Sequence, residues 1–159
     1  MRLTTRTNLA IRILMYCGIN QDRMSRSADI AEACNASVNH LAQVVNMLHQ
    51  HGFITASRGR MGGIKLATTP EKINVGEVFR VFESEVPFTE CASPETNTCP
   101  LVDACRLKSA IGRALEAFFH ELDMLTLEDL VRGNCGLREI LTFRETVTTP
   151  CKEASAIAG

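Results

Sequence analysis

Three cysteines lie close together in one short polar stretch of the chain, between two segments with helical periodicity. They are Cys91, Cys99 and Cys105. Protein iron-sulfur clusters are normally held by four thiolates. A group of three therefore predicts a cluster in which one iron has a different, weaker or more exchangeable ligand. A site of this kind suits the chemical detection of a small reactive molecule.

Two other interpretations of these three cysteines stay open. One is a zinc site, although seven and five residues separate the cysteines and the paired Cys-x-x-Cys spacing of zinc ribbons is absent. The other is three thiols without any ligand. Cys17 and Cys34 lie within helical patterns, where we expect them to be buried small hydrophobic residues.

Length and composition predict one compact domain with an extension. The chain has 159 residues, of which 45% are hydrophobic, enough for one core. No apolar run is long enough to span a bilayer, and the start MRLTTRTNLA lacks the apolar core of a signal peptide, so we expect a cytoplasmic protein. Seven cysteines, an odd number, argue against a disulfide framework. We expect no enzyme, because no substrate pocket or second cluster motif is evident.

The charges are unevenly divided along the chain. Residues 1–72 carry nine Lys and Arg against four Asp and Glu, a net charge of +5, whereas the remainder carries eight against fourteen, a net charge of −6. A basic N-terminal part has the electrostatics of a phosphate-binding surface. Because many helical domains have a mildly basic half, the order of helices and strands must support this interpretation.

The N-terminal pattern predicts a helix-turn-helix over residues 28–51. A first helix is expected over residues 4–19. Ser27 is the expected N-cap of a second helix, which Asn35 ends in a left-handed conformation, and Ser37 is the N-cap of a third. Apolar residues on one face of the third helix follow helical spacing: Leu41, Val44, Val45 and Leu48. This order predicts that the third helix enters DNA.

The polar face of that third helix supplies the candidate base-contacting residues. Asn39 and Gln43 carry amides that can pair with adenine edges. His40 could donate to DNA, although a surface histidine without this role is equally compatible with the sequence. Ser37 begins the helix and belongs to the same candidate surface.

Two short strands after the third helix predict a β-hairpin wing over residues 53–66. The connecting loop holds Arg58, Arg60 and Gly62, which we expect to contact phosphates or a narrow minor groove. A nucleotide phosphate loop is the weaker alternative, because the loop lacks the P-loop spacing and precedes a strand rather than a helix. A flexible hairpin without this role also stays open.

The strongest helical pattern follows Cys105. An apolar stripe about four turns long runs along residues 107–122, and pairing with a second copy of the chain is the simplest way to bury it. An ordinary core helix within one chain is the alternative. We therefore predict a mostly α fold with a small β-hairpin: a winged helix-turn-helix module (1–72), a cluster loop with a dimerisation helix (73–132), and a partly disordered tail (133–159) in which Cys135 and Cys151 have no role.

Three segments together resemble the Rrf-two family of winged-helix regulators. They are the opening MRLTTRTNLAIRILMY, the wing RGRMGGIKL and the block CPLVDACRLKSAIGRALEAFFHELDMLTLEDLV, and the resemblance extends over residues 1–131. Within the family the chain looks most like the nitric-oxide-sensing repressors, through ACRLK and the ELD and TLEDLV segments. The iron-responsive repressors come second, through CPLVD.

The resemblance implies a homodimer that represses transcription from a double-stranded operator while Cys91, Cys99 and Cys105 hold an iron-sulfur cluster, of the 4Fe-4S rather than the 2Fe-2S type. Nitric oxide would relieve repression by nitrosylating or removing the cluster. Some relatives complete the cluster with an aspartate, whose position here matches Asn8. The candidate fourth ligands are therefore Asn8 of the partner subunit, water or a small thiol. Cluster-assembly regulators instead use a histidine where this chain has Lys108.

Overall fold

The computed structural model describes residues 3–57, 59, 62–83, 87–93, 95 and 97–142. In order, the elements are α1 (Thr5–Ile19), α2 (Ser27–Ala33), α3 (Val38–Gln50), β1 (Ile54–Ser57), β2 (Gly63–Leu66), α4 (Val75–Glu83), α5 (Arg106–Asp123), α6 (Leu127–Val131) and α7 (Cys135–Leu141). Short 3-10 helices lie at Pro70–Lys72 and Glu90–Ala92. The predicted fold class, mostly helical with one β-hairpin, is confirmed.

Local capping chemistry explains most helix starts. Thr4 accepts a hydrogen bond from the Thr7 backbone N–H at the start of α1, and Ser37 accepts one from the His40 backbone N–H at the start of α3. Thr126 and Asp129 form a reciprocal capping box at the start of α6. Each cap satisfies backbone donors that the first helical turn leaves unpaired.

The expected cap of α2 is wrong by one residue. Ser27 is already helical, and the N-cap is Arg26, whose side chain makes no capping bond. The cause is tertiary, because the neighbouring Ser25 exchanges two backbone hydrogen bonds with Ile64 of β2, at 2.9 and 2.8 Å. This bridge fixes the chain just before the helix and anchors the hairpin to the helical module.

The core lies where α1, α2, α3, the hairpin and α6 meet. Its largest fully buried side chains are Tyr16, Ile13, Leu14, Ile30, Leu41, Leu48, Ile54, Ile73 and Leu127. Burial of each such apolar side chain contributes about 1.5–3 kcal/mol. The predicted apolar face of α3 is thus the face that holds this helix in place and turns its polar face outward.

The expectation of a partly disordered tail is wrong for residues 135–141, which form α7. Asn134 caps this helix, the buried Leu141 packs into the core cluster, and Asn20 donates a hydrogen bond to the Leu141 carbonyl, 3.0 Å. Cys135 is disulfide-bonded, a bond that the sequence did not predict. Residues 143–159 lie outside the described part of the chain.

Among the helices of the described residues, none is both long enough and apolar enough to cross a membrane.

Candidate functional site

The helix-turn-helix is built from α2, a short turn and α3. Asn35 has a φ of 49°, the left-handed conformation that the sequence predicted for this residue. The Ala36 N–H donates to the Ala31 carbonyl at 2.9 Å, which closes the turn. Arg12 of α1 also donates to the Cys34 carbonyl, at 3.3 Å. Sequence reasoning missed Arg12, because its partner lies 22 residues away.

The candidate base-contacting residues are the N-cap of α3 and three polar residues of the helix. Ser37, Asn39 and Gln43 are exposed and His40 is half-buried. Asn39 and Gln43 lie opposite the buried Leu41, Val44 and Leu48. The structure therefore leaves these four predicted residues at least partly accessible, although their contacts with DNA stay a prediction.

The wing is a two-stranded antiparallel hairpin, with Ile54 opposite Leu66 and Ser57 opposite Gly63. In its loop, Gly59 has a φ of 109° and its carbonyl accepts a 2.9 Å hydrogen bond from the N–H of Gly62. A φ as far into the positive region as that of Gly59 is readily available only to glycine. Arg58 and Arg60 lie outside the described residues, so their roles stay predictions.

The three candidate ligands lie in the connection between α4 and α5. Cys91 lies in the 3-10 helix, Cys99 lies in the loop, and Cys105 is the N-cap residue of α5. All three are free thiols and half-buried. In the described part of the chain, no three His, Cys, Asp or Glu side chains are grouped closely enough to hold one metal ion. A 4Fe-4S cluster needs its ligands further apart than one metal ion does, because each thiolate binds a separate iron atom.

Glu90 and Thr98, the residues that precede Cys91 and Cys99, connect the two parts of this loop. The Glu90 carboxylate accepts hydrogen bonds from the Thr98 backbone N–H at 2.9 Å and from the Thr98 hydroxyl at 2.6 Å. These hydrogen bonds, the side-chain bond first, lower the pKa of Glu90. The pair therefore ties the segment that carries Cys91 to the segment that carries Cys99. Neither residue was predicted, because a bond across eight residues of loop leaves no periodic pattern.

The remaining free cysteines of the described residues do not suit ligand chemistry. Cys17 and Cys34 are buried, as the sequence predicted. Burial, with a smaller contribution from the nearby Cys34, raises the pKa of Cys17 to about 12. Burial also raises the pKa of Cys34 to about 11, against an opposing effect of Arg12. Because the thiolate is the metal-binding form, these two thiols are structural.

The start of α1, which carries Asn8, is tied to the end of α4. The Glu83 carboxylate accepts hydrogen bonds from the Thr4 backbone N–H, at 2.9 Å, and from the hydroxyl of the buried Thr7. Asn8 is exposed, and its side-chain amide donates to the Thr4 carbonyl at 3.3 Å. The candidate fourth ligand thus lies on the helical turn held against the residue from which the cysteine loop departs. Lys108 is exposed in the first turn of α5.

The long helix α5 packs only partly against its own chain. Phe118 contacts Phe79 of α4, with ring centroids 6.2 Å apart, and Arg80 lies 4.9 Å above the Phe119 ring. No residue of α5 is fully buried, and Leu107 is 66% exposed. The C-terminal half of the apolar stripe therefore contacts α4, while the half nearer Cys105 stays accessible.

Comparisons with known proteins agree with this architecture. The family model described as "Rrf2: Iron-dependent Transcriptional regulator" matches residues 3–133. The chain is 40% identical to the HTH-type transcriptional regulator NsrR of Shouchella clausii over 147 residues, which cover 92% of this chain and 99% of that protein. The crystal structure of oxidized Staphylococcus aureus CymR has a TM-score of 0.64 and 25% identity, covering 82% of this chain and 96% of CymR. T. potens IscR, at 24% identity, has a TM-score of 0.63 and coverages of 82% and 85%.

Proposed function

Because this chain belongs to the Rrf2 family of transcriptional regulators, we propose that it is a homodimeric, cytoplasmic repressor that senses nitric oxide through an iron-sulfur cluster. Its family and relatives are DNA-binding regulators and not enzymes. The observation that carries the sensing proposal is the set of three free, half-buried thiols in the single connection between α4 and α5.

Cys91, Cys99 and Cys105 would hold the cluster, of the 4Fe-4S type, and Asn8 of the partner subunit would complete it. Nitric oxide reacts with iron, and this is the chemistry that a bound cluster would supply. The residues fit the group because thiolates are the usual cluster ligands and these three are neither deeply buried nor oxidised. A fourth ligand with a weak amide oxygen would leave one position exchangeable.

The chain's own contacts offer a route from this loop to DNA. One end of the loop is α4, whose last residue, Glu83, accepts hydrogen bonds from Thr4 and Thr7 of α1. Helix α1 in turn holds the helix-turn-helix through Arg12 and the core. A rearranged loop would therefore shift α4 against α1 and change the spacing of the two α3 helices in a dimer, so that they no longer fit successive major grooves.

An iron- or redox-responsive repressor is the second candidate. It is favoured by the description of the matching family, which is of an iron-dependent regulator, and by Asn8, because weak ligation would make the cluster sensitive to low iron or oxygen. The DNA-binding surfaces and the three cysteines would be the same in both cases. Only the signal would differ.

An anaerobic titration of the purified, cluster-loaded protein with nitric oxide tests the proposal. We expect the visible absorption and the affinity for operator DNA to fall together at a low ratio of nitric oxide to protein. DNA binding that survives nitric oxide but disappears with an iron chelator would instead establish the second candidate.

The ligand assignment is tested with Cys99→Ala, which should abolish the cluster absorption and relieve repression in cells. Cys34→Ala is the matched control, since it removes a buried thiol outside the loop and should keep the cluster. A Cys99→Ala protein that holds a full cluster and binds its operator would show that the assignment is wrong.

A further inference from the structure

The exposed face of α3 carries apolar as well as amide side chains. Val38, the first residue of the helix, is 56% exposed. Ala42, one turn later, is also exposed. Neither residue has a hydrogen-bonding side chain, so neither is among the base-contacting residues predicted from the sequence.

These residues form two parallel columns on one helix face. Val38 and Ala42 are four residues apart, and so are Asn39 and Gln43, with Asn46 one turn further on; all five are exposed. Residues four apart on a helix lie on the same face, about 6 Å apart along the axis. A column of methyl groups therefore runs beside a column of amides.

The same face lacks the side chains that recognise G·C pairs best. Between Val38 and Gln50 the sequence has no Arg, Lys, Asp or Glu. Arg and Lys are the usual partners of guanine, and Asp and Glu accept from cytosine. Asn and Gln pair with the N6 and N7 edge of adenine, and small apolar groups contact the methyl group of thymine.

We propose that α3 recognises A·T pairs through both of their bases, with Asn39 and Gln43 on adenine and with Val38, supported by Ala42, on thymine methyl groups. This deepens the proposed function and depends on α3 entering the major groove. Each operator half-site would then have A·T pairs where α3 contacts it, and Val38 is a specificity-determining residue.

The test begins with selection of binding sites from a random-sequence duplex library by the full-length, cluster-loaded protein. We expect A·T pairs at the centre of each half-site, and consistent G·C pairs there would overturn the proposal. In the selected duplex, each thymine is then replaced by deoxyuridine, which removes only the methyl group. One such replacement in a single half-site should weaken binding about fourfold, and the same replacement in both half-sites about fifteenfold.

The variant Val38→Ala should bind the thymine and deoxyuridine duplexes equally at that position. It should stay sensitive to 7-deazaadenine, which removes the N7 acceptor for the amides. Gln50→Ala, at the far end of α3, is the control and should keep the full sensitivity to methyl removal. If wild type ignores every deoxyuridine replacement, or Val38→Ala keeps the wild-type response, the assignment of Val38 is wrong.

These outcomes are separable from those of the nitric oxide titration. Tight binding that does not depend on the thymine methyl groups would contradict only the proposed base recognition. Binding that depends on the thymine methyl groups but does not change with nitric oxide would contradict only the proposal that nitric oxide is the signal.

Discussion

Gly76, in the first turn of α4, packs against Asp123, the last residue of α5. A Cβ atom at this position would lie 2.0 Å from the Asp123 carboxylate and 2.9 Å from the Asp123 backbone nitrogen. Because the second of these atoms belongs to the backbone, a side-chain rotation cannot relieve the clash. Glycine is therefore needed here for packing rather than for an unusual φ.

We predict that Gly76→Ala destabilises the protein by about 1–3 kcal/mol through overpacking, measured by denaturant unfolding. Gly136→Ala in α7 is the matched control, since nothing lies within 4 Å of its added methyl group, and it should be neutral or stabilising. Equal stability of Gly76→Ala and wild type would mean that α4 and α5 can move apart at no cost.

Arg60, in the wing loop, gives a second prediction at the residue scale. Arg60→Ala should weaken DNA binding and lower the slope of log affinity against log salt concentration by about one for each phosphate that the arginine neutralises. The control is Arg132→Ala, which removes a cation paired with Glu128 at 3.7 Å. An unchanged salt slope for Arg60→Ala would place the wing loop outside the interface.

At the scale of elements, the pair of helices α4 and α5 is held together by a charged contact. Arg80 donates two hydrogen bonds to the Asp123 carboxylate, at 2.5 and 2.6 Å, and the Asn74 amide donates to the Asp123 carbonyl at 2.6 Å. The hydrogen bonds from Arg80 lower the pKa of Asp123. This contact ties α4 to the C-terminal end of α5, the end remote from the cysteine loop.

The lowered pKa predicts how the contact depends on pH. A carboxyl whose pKa is depressed in the folded state contributes stability above its ordinary pKa, and the contribution disappears as pH falls through the depressed value. Melting temperatures from pH 7 down to pH 3 should therefore fall more for wild type than for Asp123→Asn, with the difference largest near neutral pH. Glu121→Gln, a change at an exposed carboxylate of the same helix, should follow wild type, and parallel curves for Asp123→Asn would contradict the prediction.

At the scale of the whole molecule, the apolar stripe of α5 is a surface that a single chain does not bury. Leu107 is 66% exposed, and Ile111 and Leu115 are only half-buried. Pairing with the same helix of a second copy would bury this stripe and set two recognition helices on one duplex. The dimer and the DNA interface are therefore expected to depend on each other.

Ile111→Glu should place a charge in that interface and shift the protein from dimer to monomer, measured by sedimentation equilibrium, with at least a tenfold loss of operator affinity, on the order of 1.4 kcal/mol or more. Ser109→Glu adds the same charge on an exposed position of the helix away from the stripe and should stay dimeric. A dimeric Ile111→Glu protein would place the interface elsewhere.

Sequence alone determined the features that depend on neighbouring residues. The periodicity of α3 and α5, the cap at Ser37 and the left-handed Asn35 all follow from interactions within a few residues, and the structure contains each of them. The outward position of Asn39 and Gln43 follows from the same period, because the opposite face must be buried.

Contacts between distant residues were decided only by the tertiary structure. Ser25 pairs with Ile64 and moves the start of α2, Thr7 bonds Glu83, and the docking of Leu141 orders α7. Each joins residues that are at least 39 positions apart or depends on a core formed elsewhere. Such a bond leaves no periodic trace in the sequence, since its free energy comes from surfaces that meet only after the chain has folded.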